Sequence, residues 1–388
     1  MKLAIALSSL ISFVGVSLGQ EGAPAQNPDP VAAARAAYQA VLDQRKKGNE
    51  DLAGYRERVS AAKGPEREAL IKEMDAAVRR AKSPMDPFVE VFAGCDWTKF
   101  DPKTESELLD NGLAGVARGK DLQKAIAAGR MSLELFPKGR FARGIRGRSI
   151  PMALFRLGDL KGAVAQLRTA VDPAEPHEKA SLLLFLGDLQ ALDGDLDGAK
   201  ATYAQIAATG RRAETDLARS RVQVLGKPAT GLAATTWIGG DAIDVTKTEG
   251  KIALIGFWAS WAPSARGETV VWNTMRDELL DKGLVCVGVT KTYGHGYLPA
   301  DASQIDLGGK GIQGMKPEDY VEHVKSYHTN MQLHYPVAIV PETTFTDYAV
   351  LPVPSTILVG RDGKVALVSM PSDSEFVRIA TNHLLAKK

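Results

Sequence analysis

The sequence predicts a two-part protein: an all-α helical domain over residues 30–225, then an α/β sheet domain over residues 226–388. Three observations predict it. Apolar residues up to about residue 225 recur at the three-to-four spacing of amphipathic helices. A glycine–aspartate turn repeats at a nearly constant interval within that stretch. Beyond Gly226, short apolar runs of strand type alternate with helical stretches and end in a hairpin, the pattern of a sheet covered by helices.

The chain opens with Lys2 and an apolar stretch from Leu3 to Leu18, followed by Ser17-Leu18-Gly19 and the polar Gln20-Glu21-Gly22. A basic residue, an apolar segment and small residues at a cleavage point are the signature of an export signal over residues 1–19. The mature chain is then expected outside the cytoplasm, periplasmic or secreted, with no membrane span after cleavage. Residues 20–29, rich in Ala, Pro and Asn, read as a disordered leader. With 48 basic and 46 acidic residues the formal net charge is +2. No strong field and no basic patch interleaved with aromatics is legible, so a nucleic-acid partner is not expected. There are two cysteines, Cys95 and Cys286. Cys286 sits in the apolar run Gly283 to Thr290, which reads as a buried strand, where a thiol is usually inert. Whether the two pair is left open by the sequence.

In the first part, Asp29-Pro30 reads as a helix cap followed by proline at the first helical position. Val31, Ala34, Tyr38, Val41 and Leu42 continue at helical spacing up to Gly48. Leu52, Tyr55 and Val59 mark a second helix, and Pro65 opens a third bearing Leu70, Met74, Ala77 and Val78. From Pro84 to Pro102 the composition turns proline-rich and aromatic, with Phe88, Phe92, Trp97 and Phe100. It predicts an ordered connector laying its rings on the helices.

Gly158-Asp-Leu-Lys-Gly-Ala163 recurs 36 residues later as Gly194-Asp-Leu-Asp-Gly-Ala199. A weaker copy, Gly119 to Ala125, precedes the first. Each turn ends one helix and starts another. Over about residues 106–225 the unit resembles the tetratricopeptide-type repeat, with a slightly longer period and an incomplete signature. That resemblance implies stacked helix pairs and a groove for proteins or peptides.

In the second part, Trp237 to Asp244 holds a glycine turn between extended pieces, and Ile252 to Trp258 is an unbroken apolar strand. Ser264 to Leu280 is helical, Leu284 to Val289 strand, Pro317 to His328 helical and Tyr335 to Val340 strand. Ser355–Val359 and Val365–Val368 flank the turn Arg361-Asp-Gly-Lys364, and Asp373 to Leu385 closes with a helix.

Phe257-Trp-Ala-Ser-Trp261-Ala-Pro-Ser-Ala-Arg266 resembles the active-site segment of the exported TlpA/ResA-type thioredoxin-like (redoxin) family. There the strand ends in F-W-A-x-W and is followed by C-P-x-C and an arginine. Tyr348 to Lys364 resembles that family's second signature, in which a cis-proline precedes the last hairpin; Pro354 is the matching residue. The resemblance covers residues 226–388 and implies a thioredoxin-like fold. It also implies that Ala262 and Ala265 stand where the two cysteines belong. In the working enzymes the first thiolate is stabilised at a helix N-terminus and the second resolves the mixed disulfide. An alanine methyl does neither. Ser264, the hydroxyl between them, has no adjacent base in the sequence, and Gly256 occupies the strand position where a proton-transferring carboxylate is often found.

The loop Trp261, Ala262, Pro263, Ser264 and Ala265 is therefore read as a degenerate active site with no catalytic residue and no cofactor. Trp258, Trp261, Val353 and Pro354 are the expected binding residues for a protein or peptide partner. The alternative is a thiol–disulfide oxidoreductase or redoxin-type antioxidant enzyme that uses Cys95, Cys286 or a partner's thiol. An enlarged region from Tyr293 to Thr346 carries several glycines and His295, His323, His328 and His334. His323 and His328 are five apart, not the i, i+4 pair of helical zinc sites. Surface histidines and a flexible glycine-rich cover over the old active-site face are expected, with no metal.

Overall fold

The computed structural model describes residues 29–387 apart from 83, 249, 303–308 and 370–373. The proposed export signal and most of the leader lie outside these residues. The chain divides between Phe100 and Asp101 into two compact units.

Among the described residues the first unit has four α-helices: α1 (Pro30–Ala53), α2 (Tyr55–Ala61), α3 (Gly64–Ala81) and α4 (Asp86–Phe92). Asp29 caps α1 by accepting the Val31 amide at 3.1 Å, which satisfies one of the N–H groups every helix leaves without an internal partner. The helix runs five residues beyond Gly48, where the sequence reading ended it. Gly48 is a contact point instead: a Cβ there would stand 2.2 Å from the backbone nitrogen of Ala81 on α3. The aromatic connector packs as expected. Phe88 and Phe92 are fully buried, Tyr38 and Phe88 lie 4.9 Å apart between centroids, and Phe92 and Phe100 lie 5.2 Å apart. Rings of this kind each stabilise by about 1.5–3 kcal/mol on burial.

The second unit begins with eight helices: α5 (Ser106–Val116), α6 (Leu122–Leu135), α7 (Ala142–Gly144), α8 (Ile150–Arg156), α9 (Leu160–Val171), α10 (Pro176–Asp193), α11 (Leu196–Ala204) and α12 (Arg212–Val224). A π turn, Ile145–Ser149, joins α7 to α8. The repeated glycine–aspartate turn has one physical role throughout. Asp121, Asp159 and Asp195 each cap the following helix, accepting the amide three residues on at 3.1, 2.8 and 2.9 Å. Gly158 and Gly194 take φ of +84° and +94° to end the preceding helix, a conformation that penalises any side chain. Between α10 and α12 lies a buried polar triad. Arg221 binds both carboxylate oxygens of Asp188, at 2.7 and 3.2 Å, and the Tyr203 hydroxyl donates to the same carboxylate at 2.6 Å.

A six-stranded sheet follows, made of β1 (Thr236–Ile238), β2 (Ile252–Phe257), β3 (Leu284–Lys291), β6 (Val337–Val340), β7 (Ser355–Val359) and β8 (Val365–Ser369), in the order β1-β6-β3-β2-β7-β8. β2, β3 and β6 run parallel, while β1, β7 and β8 are antiparallel to their neighbours. Two short strands, β4 (His295–Leu298) and β5 (Lys310–Gln313), pair separately. Helices α13 (Pro263–Leu279), α14 (Pro317–Asn330), α15 (Glu342–Asp347) and α16 (Ser374–Ala386) complete the unit. The central β2 is buried along its whole length, which is why it reads as an unbroken apolar run. This is a thioredoxin-like fold preceded by helices. Helices and sheet share one core: Phe376 of α16 lies 5.9 Å from Phe155 of α8 and 5.3 Å from Phe185 of α10. Among the described residues no helix is long and apolar enough to cross a membrane.

Candidate functional site at the carboxyl end of the central strand

β2 ends at Phe257, which pairs with Val289 of β3 on one side and Ser355 of β7 on the other. The register therefore brings the loop after β2 to the same sheet end as the Val353–Pro354 bond, which is cis. Ala262 is the N-cap of α13 and Pro263 its first residue. Ala262 and Ala265 are buried, at 4% and 0% exposure, and the Ala265 amide donates to the Ala262 carbonyl at 3.1 Å. A helix N-terminus that could stabilise a thiolate is thus in place, with a methyl group at its tip.

The surrounding positions are closed as well. A Cβ at Gly256 would lie 2.5 Å from the Trp272 indole of α13, so the ring fills the space a carboxylate side chain would need. Cys286, on β3, is buried at 4% exposure, and desolvation pushes its thiol well above its ordinary range. Cys95 lies in the other unit, with its Sγ 3.1 Å from the Pro30 carbonyl, and burial raises its thiol too. Both cysteines are free thiols.

Of the four expected binding residues, Trp261 is exposed (39%), Val353 half-buried and Pro354 buried. Trp258 is a correction. It is fully buried and packs 4.6 Å from the Tyr327 ring of α14, so it supports the loop and offers nothing to a partner. Trp261 has two companions that the sequence reading did not assign to it. Tyr293 stands 5.8 Å and His295 5.6 Å from its ring, and these two are 6.1 Å from each other. The three rings form a cluster at the sheet end, beside the loop after β2.

A second feature was missed. Ser260 Oγ lies 2.7 Å from Nε2 of His323 and accepts the Tyr297 amide at 3.3 Å. His323 is no surface residue, contrary to expectation: α14 holds it at 4% exposure, and desolvation lowers its pKa. A serine beside an imidazole invites a nucleophilic reading. Access decides against it. Ser260 is 1% exposed, and Gly296 of β4 lies so close that a Cβ there would sit 2.8 Å from the hydroxyl. Among the described residues His323 Nδ1 has no hydrogen-bond partner, so none of them orients the ring as a third group. The pair ties the loop after β2 to α14 and β4. Arg266 adds to the tie, lying 4.3 Å from the Tyr297 ring and donating to the Ser260 carbonyl at 3.4 Å.

The region from Tyr293 to Thr346 contains the expected helix as α14, with buried Tyr320 and Tyr327, and the expected strand as β6, and adds β4 and β5, which the sequence reading does not predict; Lys310 and Gly311 of the glycine piece expected as a flexible lid lie in β5. The remaining histidines have ordinary partners. His328 is 3.1 Å from the Tyr335 carbonyl, and His334 is 2.7 Å from Asp277. Among the described residues no group of His, Cys, Asp and Glu could hold a metal. Next to the cis bond in sequence lies a cleft of about 720 Å³ between α12 and the segment after α15, lined by Leu217, Phe345, Val350 and Leu351. Leu351 is 59% exposed.

Fold and site together define a thioredoxin-like domain without a dithiol. No protein-family model and no curated protein matches the sequence. Solved structures resemble part of it. A Chlorobium tepidum protein described as a thiol:disulfide interchange protein DsbE is 22% identical over 41% of this chain and 99% of its own, with a TM-score of 0.30. A thioredoxin-family thiol:disulfide interchange protein of the same organism is 16% identical over 42% and 99%, with a TM-score of 0.29. A thiol-disulfide isomerase of Corynebacterium glutamicum is 16% identical over 42% and 99%, with a TM-score of 0.33. The chemistry in those names belongs to those proteins.

Proposed function

We propose that this chain is an exported, redox-inactive protein- or peptide-binding module, in which the former dithiol site serves as a recognition surface. The observation that carries the reading is the exposed Trp261 clustered with the half-buried rings of Tyr293 and His295, beside the loop where an attacking thiol would otherwise be presented. Aromatic rings supply large contact area at low entropic cost, which suits them to anchor a partner. Val353 and Pro354 open β7 at the same sheet end, and a backbone edge there can pair with an extended peptide. The exposed Leu351 and its cleft offer a pocket for an apolar side chain alongside. The helix pairs of residues 106–225, of tetratricopeptide-like pattern, act as a second scaffold element, and the apolar N-terminal stretch directs export. The burial of Cys286 weighs against the thiol-based alternative in so far as that relies on Cys286, leaving it Cys95 or a partner's thiol.

The test is photo-crosslinking in the exporting cell from benzoylphenylalanine placed at Ser264, in the first turn of α13, against a control at Lys247. Discrete adducts from position 264, weakened by Trp261→Ala at an unchanged melting temperature, support the reading. No adducts, or adducts indifferent to Trp261→Ala, sink it.

A further inference from the structure

Helix α15 and the turn after it are held by three hydroxyl–carbonyl bonds to residues more than a hundred positions away in sequence. Ser220 Oγ of α12 donates to the Ala349 carbonyl at 2.6 Å, and Thr344 Oγ donates to the Leu232 carbonyl at 2.8 Å. The Tyr348 hydroxyl donates to the Thr230 carbonyl at 2.6 Å. The last helix of the helical region and the linker after it thus grip α15 and its turn. Ser220 and Thr344 are buried, where a hydrogen bond left unmade is costly.

The grip falls on a strained residue. Ala349 has a φ of +50°, in the left-handed region that costs an alanine energy and a glycine none. This conformation ends α15. The Ala349 amide donates to the Thr346 carbonyl at 2.9 Å, and the Val350 amide to the Phe345 carbonyl at 2.8 Å. It also sets the direction of the Ala349 carbonyl, which Ser220 takes up. From there Val350, Leu351, Pro352 and Val353 lead to Pro354 and to Ser355, which pairs with Phe257 at the end of β2. Beside the grip the seam is open: the cleft of about 720 Å³ separates Leu217 and Gln223 of α12 from Phe345 and Leu351. Close packing makes protein interiors stiff, and along the cleft that packing is absent.

We propose that Ser220 and Ala349 form a conformational latch. The Ser220 bond holds Ala349 left-handed, and with it the course of Leu351 and Val353 toward the sheet end. Displacement of α12 breaks the bond, lets Ala349 relax and moves that segment, so the helix pairs control how it is presented. The latch is a property of the seam and does not depend on what binds near Trp261.

The test is amide hydrogen exchange of the full chain, read at single residues and corrected for intrinsic rates. Wild type, Ser220→Ala, Ala349→Gly and the double variant are compared. In wild type, Ala349 and Val350 should exchange at least about tenfold faster than Leu254 and Ile255 of β2. Low urea should leave their rates unchanged while it speeds β2, because a local opening exposes little surface. Ser220→Ala should speed Ala349 and Val350 by about fivefold or more, the effect of losing one buried hydrogen bond. Glycine at 349 bears no left-handed cost, so adding Ala349→Gly to Ser220→Ala should take back most of that increase. Exchange at Ala349 and Val350 that shares the rate and urea dependence of β2 would show no separate opening and overturn the latch. Rates unchanged by Ser220→Ala overturn it too. So does a double variant as fast as Ser220→Ala alone, since strain at Ala349 is then not what the bond restrains.

Discussion

Ser260 and His323, 63 residues apart in sequence, meet at 2.7 Å beneath β4 and lock the loop that carries Trp261 to helix α14. The bond has a consequence for pH. Burial lowers the pKa of His323, and the half-buried His328 and His383 are lowered for the same reason. A histidine whose folded pKa is depressed is neutral in the native state while the unfolded chain takes up a proton. Stability is therefore complete above the unfolded pKa of about 6.5 and falls as pH drops from there toward the folded value. The melting temperature is expected to fall by several degrees between about pH 7.5 and 5.5. His323→Gln, which keeps a polar atom near the Nε2 position, should flatten that fall. An identical slope in the variant would remove His323 from the account.

Thiol reactivity separates the two cysteines from a working dithiol. Cys286 should resist an aromatic disulfide reagent in the native protein and react once the chain is denatured, since desolvation disfavours its thiolate. Insulin reduction with dithiothreitol should not exceed background. Turnover that survives Cys95→Ser combined with Cys286→Ser would overturn the assignment of Ala262 and Ala265 as the lost thiols.

Placing a cysteine pair at the start of α13 tests the reading of Ala262 and Ala265 as the positions of two lost thiols. Ala262 and Ala265 span the first turn of α13, so Ala262→Cys with Ala265→Cys should form an intramolecular disulfide, visible as a gel shift. The thiol at 262 should titrate below the ~8.5 of a free cysteine, because it caps a helix. Adding Gly256→Asp should not improve turnover. It should cost about 1–3 kcal/mol by driving a side chain into Trp272.

Asp188 and Arg221 form a buried pair whose side chains are 7% and 4% exposed. Arg221→Met leaves the buried Asp188 carboxylate without its guanidinium partner, at a cost of about 3–5 kcal/mol. The melting temperature should drop on the order of 10 °C. A drop under about 2 °C would show that water reaches the site and the pair contributes little.

The sheet was legible because β2, β3 and β7 are buried on both faces and so read as continuous apolar runs. The caps were legible because Asp159 and Asp195 act within three residues of themselves. Gly48 was misread as a helix end because glycine has two uses, ending a helix or admitting a neighbour, and only the position of Ala81 decides between them. His323 was misread because nothing local to α14 announces that β4 covers it.

By itself the sequence determined the order of helices and strands, the presence of Ala262 and Ala265 at the start of α13, and the repeated helix caps. Each of these is written in residue type and short-range spacing. The tertiary structure alone decided that Trp258 is buried while Trp261 is exposed beside Tyr293 and His295, and that Ser260 meets His323. These are contacts between residues distant in sequence, set by how helices and sheet share a core, and no local pattern encodes them.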